Sequence, residues 1–198
     1  MNRIARLILD NLNLKVFVPL LALALATTWW GLFHSTARFA ELSGGLRFVD
    51  MQRELTPDIL FEQFGSYAPD TVTYYLAWSV FDFAWPFITF TTMLFIAGWL
   101  LGFVADKWQK WFGLFIASAY LTVLMDWGEN VGFMALVTGL PNEPMWLAQL
   151  TLGLHDAKLV FLMVFNLSVW ILLAAVIVVQ VKRKSGSNPI FSCLRAPC

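Results

Sequence analysis

Six ionisable side chains lie inside apolar stretches of this chain that are long enough to cross a lipid bilayer: Asp82 in one, Asp126 and Glu129 in the next, His155, Asp156 and Lys158 in the last. A charge at the centre of a bilayer costs roughly 3 kcal/mol or more unless it is paired or reaches water. Any fold open to this sequence must therefore gather these residues around an interior site or carry them to an aqueous edge.

Around them the chain is apolar. Hydrophobic residues make up 59% of the 198 and charged residues 13%, about half the charged share of a soluble domain. Residues 16–33, 73–104, 111–140 and 145–181 each approach or exceed the roughly 20 residues that span hydrocarbon. Lipid offers no partner to backbone N–H and C=O groups, so each stretch is expected to be helical. The sequence predicts an all-α, polytopic membrane four-helix bundle with a partly helical extracytoplasmic loop. Residues 1–184 would form one domain, and the Ser/Gly/Pro-containing residues 185–198 a flexible cytoplasmic tail.

Orientation follows from the basic residues. Arg3, Arg6 and Lys15 precede the first stretch, Lys107 and Lys110 separate the second from the third, and Lys182, Arg183 and Lys184 follow the fourth. The positive-inside rule then puts both termini in the cytoplasm of a multi-pass plasma or inner membrane protein. In residues 34–72, Arg38, Arg47 and Arg53 are outnumbered by Glu41, Asp50, Glu54, Asp58, Glu62 and Asp70, as befits an outer loop. The N-terminal run resembles a signal peptide, with Ala24-Leu25-Ala26 at a cleavage-like spacing. Its apolar run continues through Trp29, Trp30 and Phe33, which favours a retained helix.

The formal charge is zero and no basic stripe lies beyond those flanks, which excludes a nucleic-acid surface. The lipid bilayer is the expected partner. Cys193 and Cys198 both fall in the tail, where cytosol keeps thiols reduced, so no disulfide framework is expected.

Local signals place the shorter elements. Residues 3–14 alternate basic and apolar residues as an amphipathic lead-in. The loop at 34–72 is too apolar to be disordered. Within it Thr56-Pro57-Asp58 reads as helix cap, first-turn proline and acidic first turn, with a stop at Gly65. Ala68-Pro69-Asp70-Thr71 is a second start signal, and Ser43-Gly44-Gly45 is the flexible point. Pro141-Asn142-Glu143-Pro144 should turn the third and fourth spans into a hairpin. Trp29, Trp30, Trp108, Trp111 and Trp146 sit at heights expected of interfacial anchors.

At 1.5 Å per residue from the inner helix ends, Asp82, Glu129 and Lys158 converge on one level at the outer membrane edge, with Asp126 deeper. Asp126, Glu129 and Asn130 are spaced i, i+3, i+4 and share one helical face. His155 and Lys158 share a face with Thr151, whereas Asp156 points about 100° away. Trp78, Asp82, Trp85 and Pro86 line one side of the second span. Facing one another, these stripes predict an outward-open, polar-floored pocket roofed by the 34–72 loop, and Gly128 and Gly132 would let a neighbouring helix approach closely. The candidate catalytic residues are Asp126, Glu129, His155 and Lys158. The candidate ligand-binding residues are Asp82, Asn130, Trp78, Trp85 and Asp156. Four carboxyls against one lysine and a histidine that can be neutral cannot all be ionised: a carboxyl keeps its proton, a cation binds, or Asp156 escapes to the surface.

The order Thr56-Pro57-Asp58, then Asp82 and Pro86, then Asp126-Trp127-Gly128-Glu129-Asn130 resembles a group of uncharacterised bacterial four-helix integral membrane proteins with an Asp-x-x-Glu-Asn signature in the third span. The resemblance covers residues 55–158. It implies an architecture and carries no activity with it.

Three functions stay open on the sequence. The polar residues can be glue between helices, each link contributing about 0.6–2 kcal/mol. They can bind or translocate a proton, a cation or a small cationic molecule; with no inverted repeat and only four helices, transport would call for a homo-oligomer. They can form an intramembrane enzyme acting on a lipid or isoprenoid at the outer leaflet, by carboxylate acid/base chemistry with His155 or Lys158 assisting. Asp126, Glu129 and His155 could ligate a metal, yet no HxxxH or ExxH spacing accompanies them, and no cofactor is implied.

Overall fold

The computed structural model describes the backbone of residues 14–104 and 111–186. The amphipathic lead-in, Lys107, Trp108 and Lys110, and the two tail cysteines lie outside the described residues. Those described are all-helical: α1 (Leu14–Trp29), a π-helical turn (Trp30–Ser35), α2 (Thr36–Leu42), a 3-10 turn (Val49–Met51), α3 (Pro57–Gly65), α4 (Pro69–Asp82), α5 (Trp85–Leu101), α6 (Phe112–Gly139) and α7 (Met145–Gly186). Among the described residues, three segments are long and apolar enough to cross a membrane: Leu14–Leu42, Pro69–Leu101 and Met145–Lys182. α6 is 28 residues long, and the polar stretch at its centre sets it apart from those three.

The local signals explain the elements between residues 43 and 69, called outer after the side that the charge pattern leads one to expect. Thr56 caps α3 by accepting from the Ile59 N–H at 3.3 Å, Pro57 fills the first turn, and the helix ends at Gly65. α4 starts at Pro69. Gly44 and Gly45 take φ of +71° and +99°, values that side-chain-bearing residues rarely adopt. The first rod departs from expectation: it runs beyond residue 33 through the π turn to Leu42. Thr71 Oγ1 donates to the Leu42 carbonyl (2.8 Å), and Ser35 hydrogen-bonds the Tyr74 hydroxyl (2.9 Å), so α2 is docked on α4 and the outer connection begins only at Ser43.

The second stretch departs too, because it is two helices. Pro86 has no N–H for the carbonyl of Asp82, and the ladder is interrupted at Phe83-Ala84. At the break the Phe83 carbonyl accepts from the Trp127 indole of α6 at 2.8 Å.

α6 and α7 form the most extensive helix pairing. A Cβ on Gly132 would run into the Thr151 side chain of α7, and one on Gly128 would come within 3.0 Å of Leu154. The two glycines thus permit the close approach expected of them. Along the pair, two apolar cores flank a polar layer. One, called inner after the expected cytoplasmic side, packs Leu94, Phe95, Phe112, Phe115, Phe165 and Leu172. The outer core packs Phe39, Phe48, Phe64, Tyr75, Trp78 and Phe133, bringing the outer connection onto the helices.

Candidate functional site

Between the two cores, α4, α6 and α7 place their ionisable residues on facing sides, joined in one unbroken chain. Asn130 donates to Asp82 Oδ2 at 3.0 Å and to Asp126 Oδ2 at 3.4 Å. The Lys158 ammonium lies 3.2 Å from Asp126 Oδ1 and 2.6 Å from Glu129 Oε2. Glu129 Oε1 in turn meets His155 Nδ1 at 3.0 Å. The helical spacing is what permits this. The i, i+3, i+4 face of α6 turns Asp126, Glu129 and Asn130 inward, and Lys158, one turn from His155, reaches both acids.

The layer is closed, which corrects the expectation of an outward-open pocket. Glu129 is 0% exposed, and Asp82, Asn130 and His155 are each 2% exposed. The outer core shuts it: Phe48 stacks between Phe39 (centroids 3.9 Å apart) and Trp78 (4.7 Å), and Phe64 packs edge-on against Phe133. Trp78 is thus part of the cover. Trp85 is not in the layer; its indole donates to Thr28 of α1 at 2.9 Å. Asp156 is exposed on the far side of α7, as its 100° offset from His155 requires.

The structure adds one residue that the sequence pattern left among the surface acids of the loop. Asp50, on the 3-10 turn, reaches toward Lys158 and Glu129, with the Trp78 indole N–H turned toward it short of hydrogen-bond geometry. Burial pushes its carboxyl up to about 6, with the Lys158 ammonium opposing and the Glu129 charge reinforcing. Its sequence signal was available: Asp50 is flanked by Phe48-Val49 and Met51, unlike the loop's other acids. Beside it, burial pushes the Tyr67 phenol up to about 12 against the hydrogen bond it accepts from Gln63 (2.7 Å).

Several polar atoms in the layer have no protein partner, among them Asp82 Oδ1, Asp50 Oδ1 and His155 Nε2. Buried polar groups are paired in the great majority of cases, so each such atom calls for a water, an ion or a chemical role. Among the described residues no three His, Cys, Asp or Glu side chains are grouped to hold a metal ion; the Lys158 ammonium stands between Asp126 and Glu129 instead. No protein-family model, curated protein or solved structure matches the chain.

Proposed function

We propose that the protein is a four-helix integral membrane bundle with cytoplasmic termini, whose polar layer binds and exchanges protons, with proton or small-cation translocation as its task. One observation carries this reading: three linked carboxyl groups, of Asp82, Asp126 and Glu129, with a fourth, Asp50, within electrostatic reach, face one ammonium and one imidazole in a single buried cluster. Fully ionised, even with the imidazole charged, the group would keep two surplus negative charges where solvation is poor, and such a group neutralises itself by taking up protons or a cation. Lys158 already fills the place between two acids that a divalent ion would need, which favours protons. Helix glue alone would call for matched pairs, not a surplus. The Asp-x-x-Glu-Asn resemblance supports the same bundle, and passage across the membrane would involve a homo-oligomer.

A second reading, an acid/base enzyme acting on a lipid or isoprenoid at the outer leaflet, is favoured by His155. Glu129 holds its Nδ1 and leaves Nε2 without a partner, the arrangement of a general base. The aromatic cover over the layer weighs against entry of a bulky substrate. The two readings separate in proteoliposomes carrying an internal pH dye: proton or cation flux driven by an imposed gradient, lost in Glu129→Gln, supports the first. Absence of flux together with turnover of outer-leaflet lipid supports the second.

A further inference from the structure

Given a buried proton-binding layer, the way in from water becomes a structural question, and the outer connection answers it. The 3-10 turn Val49–Met51 has a different environment on each side. Inward, Asp50 presents a buried, unpartnered Oδ1 within electrostatic reach of Lys158 on α7, Glu129 and Asp126 on α6, and Tyr75 and Asp82 on α4, with Tyr67 beside it. Outward, a cavity of about 530 Å³ is lined by Arg47, Met51, Gln52, Arg53, Glu54 and Gln63, residues that flank Asp50 in sequence and the α3 glutamine that braces them, with Asp50 itself set behind this lining. Gln63 donates to the Arg47 carbonyl at 2.8 Å and accepts from Gln52 at 2.8 Å, fixing the turn between cavity and layer. Asp50 is only partly buried as a residue, while the other carboxyls of the layer are closed off.

We propose that Asp50 is the port carboxyl, the group through which protons pass between the extracytoplasmic cavity and the buried layer. The proposal rests on the proton-binding reading of that layer. In the step, an O–H bond of a hydronium ion in the cavity breaks as a bond to an Asp50 carboxylate oxygen forms, releasing water. The Asp50 O–H then breaks as its proton passes to a carboxylate of the layer, restoring the Asp50 carboxylate. One proton moves and no electron changes hands. A carboxyl between cavity and layer provides this relay because it can hold the proton in transit, whereas an amide of the same shape cannot.

The test is stopped-flow acidification of the purified full-length protein in detergent, with a soluble pH indicator. The expected result is that Asp50→Asn takes up protons about tenfold or more slowly than the parent protein. The total should fall by no more than the single proton Asp50 itself holds, and Asp50→Glu should restore the rate. Because Asp50→Asn can perturb folding, a second variant leaves Asp50 in place: Arg53→Cys, with Cys193 and Cys198 replaced by serine, labelled in the cavity with a bulky thiol reagent. Labelling should slow uptake similarly. Unchanged rates in Asp50→Asn, or in labelled Arg53→Cys, overturn the port. Failure of the parent protein to take up more protons than Glu129→Gln would instead overturn the proton-binding reading.

Discussion

α6 and α7 carry two regions built on opposite terms within a few turns of each other. In the inner core, Phe112, Phe115, Phe165 and Leu172 meet through shape alone: Phe165 lies edge-on to Phe90 (5.2 Å) and to Phe115 (6.4 Å). In the polar layer, Asp126, Glu129, His155 and Lys158 meet through charge and direction. The core can be held by many apolar side chains of similar volume, since dispersion contacts have no preferred partner. The layer tolerates one register, because a small slide of α7 along α6 would part the 2.6 Å contact of Lys158 with Glu129. Stability is thus expected to depend on the core, and specificity and activity on the layer.

Substitutions can break that division. Phe165→Ala should be the most damaging to the fold, costing about 3–5 kcal/mol by opening a cavity in the inner core. It should reduce melting temperature and activity together, because the lost protein is unfolded protein. Gly132→Val should cost about 1–3 kcal/mol by forcing α6 away from Thr151. Its activity should fall further than its folded fraction, since the same separation parts Glu129 from His155; equal losses would mean that the layer is insensitive to register.

Glu129→Gln sharpens the comparison from the other side. Asp126 still faces Lys158 at 3.2 Å, so the ammonium keeps a carboxylate and the stability change should be about 1 kcal/mol, while proton exchange is abolished. Parallel loss of folded protein in Glu129→Gln, Asp126→Asn and Lys158→Met would make the layer glue.

The smallest effect concerns pH. Asp50 binds its proton more tightly in the fold, at about 6 against 3.8, so its contribution to stability is full below about pH 3.8 and is lost as pH rises through about 6. Asp50→Asn removes that loss. Its stability, followed by melting temperature, should rise relative to the parent protein across this window, by an amount that solvent screening of the partly exposed Asp50 reduces from about 3 kcal/mol to the order of 1 kcal/mol, and level off above it. A pH-independent difference would mean that Asp50 faces water.

Much of this was legible in the sequence because helical signals are local. Thr56-Pro57-Asp58 marked α3, Pro69 opened α4, and the spacing of Asp126, Glu129 and Asn130 placed them on one inward face. What escaped depended on tertiary partners. The helix through His34-Ser35-Thr36 reads as loop until Tyr74 and Thr71 dock on it. The 73–104 stretch reads as one helix, although Pro86 divides it and Trp127 donates to the Phe83 carbonyl at the break. Trp85 shares a face with Asp82 on an unbroken helix; across the break it turns to Thr28. Asp50 lies beside the layer with Phe48, two residues before it, clamped between Phe39 and Trp78, a contact no local pattern encodes.

Whether the polar layer holds exchangeable protons is tested most directly by infrared difference spectroscopy of the purified protein between about pH 8 and about pH 5, because a protonated carboxyl has a carbonyl stretch distinct from that of a carboxylate. A layer of exchangeable protons should give a protonated-carboxyl band that grows on acidification, shifts in heavy water, and is altered by each of Asp82→Asn, Asp126→Asn and Glu129→Gln, as a coupled group requires. A spectrum identical in the parent protein and all three variants would contradict it.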